Sequence, residues 1–200
     1  MGLAILIFGL VLFLGAHVFV SLRTERAKFI ERFGESTYKW VISLVSAAGL
    51  LVIGWGFAQY RATGWVDFWY PPSWTRHVTV ALVWPAIICI TAAFLQGRIK
   101  KALKHPMIVG VKLWAVAHLI SNGDLGSIIL FGSILGWAVY DRISFKYRTD
   151  DGASPLAGVL PAGMSDTTKD ILAVVLGTVI YLALGLWFHP YVVGVKAFGS

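Results

Sequence analysis

The chain has 200 residues, of which 58% are hydrophobic and only 14% are charged. Globular domains are about half apolar and about a quarter charged. This composition, with a mean hydropathy of +0.75, therefore excludes an ordinary water-soluble domain and predicts a membrane protein with several spans. The single cysteine, Cys89, excludes an intrachain disulfide and a cysteine-based metal cluster.

Six apolar stretches are long enough, or nearly so, to cross a hydrocarbon core of about 30 Å, which takes about 17–25 helical residues. They predict an all-α fold, a polytopic bundle of about six transmembrane helices that forms one domain over residues 1–200. The stretches are 2–22, 38–60, 77–97, 106–121, 125–142 and 170–189.

The fourth and fifth stretches are the short ones, and only residues 121–124 separate them. Because Asn122-Gly123 in this connection is a strong turn signal, a re-entrant hairpin that leaves four true spans is an alternative to six. After the fifth stretch, the polar and Gly/Pro-rich segment 143–169 predicts a flexible loop with no chemistry of its own.

Basic residues are concentrated in alternate loops of the predicted bundle. The first, third and fifth loops and their borders carry thirteen lysines and arginines, whereas the opposite side carries three. The positive-inside rule therefore places these three loops in the cytoplasm and both termini outside. This distribution accounts for the net charge of +7 without a nucleic-acid partner, and the predicted surroundings are a lipid bilayer.

The second loop, Gly64–Trp74, is rich in aromatic side chains, and we call it the aromatic loop. Tryptophan and tyrosine rings suit the headgroup region, where one edge of the ring is in contact with lipid and the other with water. The aromatic loop is therefore interpreted as an interfacial anchor, and a lid over a substrate entry between helices is the alternative.

Small residues recur on one face of the second stretch, at Ser43, Ala47, Gly54 and Ala58. Small side chains let helices approach closely in lipid. This face is therefore predicted to pack against another helix.

Five histidines are the main candidates for chemistry, because an ionisable group inside hydrocarbon is costly and is functional by default. His17 lies near the cytoplasmic end of the first span, and His105 lies at the cytoplasmic mouth of the fourth. His118 lies further across the membrane, and His77 and His189 lie at the outer ends of the third and sixth spans. For an intramembrane histidine, the alternative is a structural residue that only hydrogen-bonds a neighbouring helix. For His77 and His189, at helix ends, the alternative is a position at the membrane interface.

His17 and His118 form the preferred pair, since both lie inside hydrocarbon on different helices. Two histidines that face each other across a bundle can hold haem b through its two axial positions. Asn122, four residues beyond His118, and Ser21, four beyond His17, are candidates to accept the other ring N–H. A competing pair joins His118 to His77 or to His189.

His105 and His118 cannot bind one metal ion, because thirteen residues of α-helix separate them by about 20 Å. Lys112, between them, is too deep in the span to reach water easily. If it stays inside, Asp141 or a haem propionate is a natural counter-charge.

One short motif recurs, and no hydrolase motif is present. The octapeptide at His105–Lys112 agrees with the one at His189–Lys196 in six of eight positions, but the flanking residues do not align. The sequence has no serine-nucleophile motif, no HExxH and no phosphate-binding loop, so hydrolysis is excluded as the predicted chemistry.

The fourth stretch carries a long motif that resembles the signature of the NnrU family: His105-Pro106-x-x-x-Gly110-x-Lys112-Leu113-Trp114-Ala115-x-Ala117-His118-Leu119-x-x-Asn122-Gly123-Asp124. Further resemblance extends over nearly the whole chain, through Gly15-Ala16-His17, Tyr70-x-Pro72-x-Trp74-x-Arg76-His77, Trp137-Ala138-x-Tyr140-Asp141-Arg142 and His189-Pro190-x-x-x-Gly194. NnrU proteins are associated with bacterial nitrite and nitric oxide respiration. They are similar to the plant and cyanobacterial 15-cis-zeta-carotene isomerase, an integral membrane protein that uses haem b.

The resemblance implies an integral protein of the bacterial inner membrane whose haem iron is held by His17 and His118. The isomerase has a cysteine three residues before its second histidine, where this chain has Ala115. A ligand switch through a thiolate is therefore not expected here.

Three functions are compatible with these observations. The first is a haem-dependent enzyme that isomerises a lipid-soluble polyene or acts on a small nitrogen oxide. The second is a non-catalytic accessory, assembly or sensing component that has a partner among respiratory complexes. The third is a membrane methyltransferase, because such enzymes share a His-Pro-x-x-x-Gly segment. Their usual paired-glutamate segment is missing, since the glutamates of this chain are Glu25, Glu31 and Glu35 in the first loop.

Overall fold

The computed structural model describes residues 1–147 and 163–198. These residues form helices and no β-strand, which confirms the predicted all-α polytopic fold. The α-helices are α1 (Gly2–Ser21), α2 (Arg23–Phe33), α3 (Glu35–Thr63), α4 (Thr75–Leu95), α5 (Arg98–Leu103), α6 (Pro106–Ser121), α7 (Leu125–Ser144) and α8 (Asp166–Ala183). A 3-10 turn, Phe145–Tyr147, follows α7, and a π-helix, Leu184–Val193, continues α8.

Five of the six predicted spans each coincide with one α-helix, and the sixth, 170–189, covers most of α8 and the first part of the π-helix. In the described residues, five helices are long and apolar enough to cross a membrane, and α6, with 16 residues, is the shorter sixth. The short helices α2 and α5 lie where the sequence predicts only basic loops. Most of the predicted flexible loop, residues 148–162, lies outside the described residues, and the orientation in the membrane stays a prediction.

The described chain forms two compact units. The first consists of Met1–Tyr70 and Asn122–Ser144, and therefore holds α1, α2, α3 and α7. The second consists of the described residues of Pro71–Ser121 and Phe145–Ser200, and holds α4, α5, α6, α8 and the π-helix.

Close contact between α1 and α3 builds the first unit. A Cβ atom placed on Gly49 of α3 would lie 2.7 Å from the backbone nitrogen of Phe13, and one on Gly56 would lie 2.7 Å from the Cα atom of Leu6. Only glycine permits this separation of the two backbones, as is common between helices in lipid.

The predicted packing face of α3 is wrong. Gly54 has open space around the position of a Cβ atom, and all four small residues of that face are exposed: Ser43, Ala47, Gly54 and Ala58. The packing face lies instead around Gly49, Ile53 and Gly56, which are buried.

The start of the aromatic loop is fixed to the turn before α7 within the first unit. The backbone N–H of Phe68 donates to the Gly123 carbonyl at 2.8 Å, and that of Leu125 donates to the Val66 carbonyl at 2.9 Å. The Tyr60 hydroxyl, on a side chain with 1% exposure, accepts from the Val66 N–H at 3.0 Å and donates to the Val66 carbonyl at 3.3 Å. The backbone of this segment is thus held in place while rings such as that of Phe68, 65% exposed, remain outside.

In the second unit, α4 packs against both α6 and α8. Threonine hydroxyls join the helices: Thr79 donates to the Ala117 carbonyl of α6 at 2.8 Å, and Thr91 donates to the Ala173 carbonyl of α8 at 2.9 Å. Such bonds contribute roughly 0.6 kcal/mol on average inside membranes. They fix the register of the two helices that carry His118 and His189.

Candidate haem-binding histidines

His118 lies in the last turn of α6, in the second unit, and is half-buried. Its Nδ1 lies 2.8 Å from the Trp114 carbonyl oxygen. Since a carbonyl can only accept, Nδ1 carries the proton and Nε2 carries the lone pair. Histidines that bind metals are usually held this way, with the second ring nitrogen donating to a carbonyl or carboxylate.

His189 lies beside His118 in the same unit. Its Nδ1 lies 3.0 Å from the Leu184 carbonyl oxygen, so that His189 too has its lone pair on Nε2. The centres of the two imidazole rings are 6.3 Å apart, and their planes differ by 24°. Of the two alternatives to His17 that the sequence offers, the structure thus places His189 next to His118.

His17 has the same internal arrangement in the first unit. Its Nδ1 lies 2.7 Å from the Phe13 carbonyl oxygen, and the Phe13 ring centre lies 4.3 Å away. The indole of Trp137 meets the ring edge to face, with centres 5.1 Å apart. The Nε1 atom of Trp137 is buried without a hydrogen-bond partner among the described residues. A donor without an acceptor therefore lies next to His17, which sequence reasoning missed although Trp137 belongs to a recognised motif.

Ser21 and Asn122, the side chains proposed to orient the rings of His17 and His118, are not the partners of the Nδ1 atoms. The Nδ1 atoms of His17 and His118 point to carbonyls of their own helices, whereas Ser21 donates to a carboxylate oxygen of Asp141 at 2.9 Å. Asp141 is 7% exposed and also accepts from the Ser144 hydroxyl at 3.2 Å. This carboxylate is therefore hydrogen-bonded within the first unit.

The remaining candidates are spread over the chain. Lys112 is half-buried on α6 and makes no ion pair with the described residues, and Asn122 is half-buried at the start of the turn before α7. His105 stacks on Phe145, with ring centres 4.0 Å apart, and His77 is exposed in the first turn of α4.

The two histidines of the preferred pair belong to different units, His17 to the first and His118 to the second. Their pairing across one haem stays a prediction. The histidines of both units are compatible with haem binding. His17, His118 and His189 each have the lone pair on Nε2, the nitrogen that would face an iron atom.

The comparison with protein families gives one result. A family model described as NnrU protein matches residues 5–197, which include all five histidines. No curated protein and no solved structure matches the chain.

Proposed function

Because the chain belongs to the NnrU family, we propose that it is a haem b protein of the bacterial cytoplasmic membrane, in which His118 would hold the iron. The observation that carries this proposal is the state of His118. It is a half-buried imidazole on an apolar helix, its Nδ1–H is held by the Trp114 carbonyl at 2.8 Å, and the ring centre of a second imidazole lies 6.3 Å from its own. The resemblance to zeta-carotene isomerase gives His17 as the other ligand.

Two further side chains support a haem site. Trp137 offers a buried N–H donor beside His17, where a bound group with an acceptor oxygen or nitrogen would satisfy it. Lys112, half-buried on the helix that carries His118, offers a positive charge for a carboxylate of the cofactor.

The activity that we propose is cis–trans isomerisation of a lipid-soluble polyene. When bound, reduced haem iron would supply electron density that lowers the barrier to rotation about a double bond. The protein's part is to hold the imidazoles in one tautomer and to keep water away with its apolar helices. A substrate of this class would reach the site from the bilayer, which the five candidate spans indicate as the surroundings.

A non-catalytic role in nitrite or nitric oxide respiration is the second candidate, as an accessory, assembly or sensing component. The observation that favours it is the aromatic loop. Its backbone is fixed to Gly123, yet Phe68 and Tyr70 are 65% and 80% exposed. Rigid, exposed aromatic rings are suited to contact with a partner protein as well as with lipid headgroups.

Spectra of the purified protein test haem binding directly. Protein made with haem available is expected to show a b-type absorption band and a low-spin EPR signal. His118→Ala should lose the low-spin signal or the haem itself, and His77→Ala, an exposed histidine, serves as the matched control. Wild-type protein without a b-type band would end the proposal.

A deletion strain separates the two candidate roles. Accumulation of a cis-polyene with normal nitric oxide consumption supports the isomerase. An unchanged polyene profile with lost nitric oxide reduction supports the accessory role.

A further inference from the structure

The short helix α5 joins α4 to α6 in the second unit, and it is strongly basic. Four of the seven residues at 98–104 are lysine or arginine: Arg98, Lys100, Lys101 and Lys104. The Asp170 carboxylate of α8 accepts from the N–H groups of Arg98 and Ile99, both at 3.1 Å, which fixes α5 to α8. Because α4 and α8 are long and apolar enough to cross a membrane, the end at which they meet α5 is expected to lie at a membrane surface.

Only one of these four cations makes an ion pair with the described residues. Lys101 pairs with Asp166, the first residue of α8. The other three side chains have no such partner there, and they are exposed or half-buried: Arg98, Lys100 and Lys104. The basic helix α2 of the first unit differs, since its Lys28 pairs with Glu25 at 3.0 Å. Most of the positive charge of α5 is therefore not paired within the part of the chain that the structure describes.

Lys104 has a backbone conformation that disfavours any side chain. Its φ is 60° and its ψ is −51°, and the His105 N–H donates to the Leu103 carbonyl at 2.7 Å across it. This is a γ-turn with positive φ at its central residue, which is the rare and strained form. Glycine would adopt this φ without a steric penalty, yet the residue is a lysine. Strained residues of this kind cluster at ligand-binding sites, so the Lys104 side chain is a candidate for binding.

The ligand that fits these features is the phosphate group of an anionic phospholipid. Clusters of about four to eight lysines and arginines directly beside a membrane span attract anionic lipids. Leu103, next to Lys104, is 37% exposed and supplies an apolar side chain for the lipid next to the headgroup. The backbone N–H groups at the start of α5 are already taken by Asp170. Binding therefore depends on the basic side chains.

We propose that Arg98, Lys100 and Lys104 bind the headgroup phosphate of an anionic phospholipid at the membrane surface. Lys104, at the strained turn, is the residue on which this binding depends most. The proposal goes beyond haem binding and does not rest on it, because every residue involved belongs to α5 and the turn that follows it.

Thermal unfolding of the full chain in micelles of a zwitterionic detergent tests the class of ligand. Added phosphatidylglycerol is expected to raise the midpoint temperature, because a ligand that binds the folded state stabilises it. Phosphatidylcholine and inorganic phosphate should not raise it. An equal rise with phosphatidylcholine would show that any lipid stabilises the protein, and an equal rise with inorganic phosphate would identify a site for free anions. Either result, or no response to phosphatidylglycerol, would overturn the proposal.

Neutralising single lysines tests the site. The mole fraction of phosphatidylglycerol at the half-maximal rise measures the affinity. Lys104→Gln should weaken it about fivefold, the equivalent of roughly 1 kcal/mol for one charge at an anionic surface. Lys104→Arg should keep the affinity, and so should Lys28→Gln, whose exposed lysine on α2 is the matched control. Equal weakening in Lys28→Gln and Lys104→Gln would show attraction by net charge without a site at α5.

A matched pair of glycine variants separates lipid binding from the fold. Gln96, at the end of α4, is a second non-glycine residue with positive φ, 57°, and it carries no charge. Lys104→Gly and Gln96→Gly should both keep at least the wild-type midpoint in phosphatidylcholine, and Lys104→Gly alone should lose response to phosphatidylglycerol. A full response in Lys104→Gly, or a midpoint far below wild type in phosphatidylcholine, would show that Lys104 does not serve the lipid.

Discussion

His17, His118 and His189 each direct Nδ1 at a carbonyl of their own helix, at 2.7, 2.8 and 3.0 Å. Inside hydrocarbon, a neutral imidazole whose N–H is satisfied costs far less than a charged one. The arrangement also leaves the basic nitrogen of each ring on Nε2. The same local bond thus lowers the cost of burial and prepares the ring for a metal.

Asp124 caps the N-terminus of α7 with its side chain, and the contribution of this cap to stability can be tested. It is 1% exposed, its Oδ1 accepts from the Ser127 N–H at 2.9 Å at the start of α7, and its Oδ2 has no partner among the described residues. Asp124→Ala removes the cap and should cost about 1 kcal/mol. Asp124→Asn keeps an acceptor oxygen and removes a buried carboxylate, so we expect it to be as stable as wild type or more so.

Thermal unfolding in detergent, followed by circular dichroism, compares the two variants. The expected order of midpoint temperatures places Asp124→Ala below Asp124→Asn. Equal losses in both variants would show that the carboxylate itself stabilises the turn, through a bound cation or an ordered water.

At this scale the sequence identifies the residues but not their partners. Apolar context alone marks His17 and His118 as intramembrane histidines. Their acceptors could not be predicted, because Asn122 and Ser21 offer the same spacing as the carbonyls of the preceding turn. The contact of His118 with His189 was only one of several alternatives, since it depends on a π-helix that no hydropathy pattern indicates.

At the scale of elements, two glycines of α3 form a matched pair for measuring helix packing. A Cβ atom on Gly56 would collide with the Leu6 backbone of α1, whereas Gly54 has open space. Alanine gains about 1 kcal/mol over glycine in a helix interior, but overpacking costs typically about 1–3 kcal/mol. Because a backbone cannot move aside as a side chain can, Gly56→Ala should lower stability, and Gly54→Ala should leave it unchanged or raise it.

The midpoint temperatures of these two variants in the same detergent check the prediction. Circular dichroism of each variant checks that the total helix content is unchanged. A Gly54→Ala protein that loses as much stability as Gly56→Ala would mean that the exposed face of α3 is itself packed, for example against a second copy.

The spans were predictable because the bilayer demands about twenty apolar residues for each crossing, and this pattern needs no tertiary information. The packing face of α3 could not be predicted from the sequence. Small residues lie on two faces of this helix, and lipid is as apolar as a neighbouring helix, so hydropathy cannot choose between them. The helices α2 and α5 were missed because they are short and charged, and apolar windows find only spans.

At the scale of the whole molecule, we expect charge rather than packing to determine how the protein is oriented in the membrane. The sequence predicts the six apolar helices well, because the hydropathy of each is a local property. The arrangement of the histidines is a property of two separate units, which bring together residues far apart in the chain, such as His118 and His189. That arrangement depends on tertiary packing and could not be predicted from the sequence.

The predicted orientation can be tested with single cysteines in a Cys89→Ser background. Ser73 lies in the aromatic loop and Ala102 lies in the basic helix α5, and both are exposed. Because lysines and arginines stay on the cytoplasmic side, a membrane-impermeant maleimide should label Ser73→Cys in intact spheroplasts and should label Ala102→Cys only after lysis. Labelling of Ala102→Cys in intact spheroplasts would reverse the orientation and place His77 and His189 toward the cytoplasm.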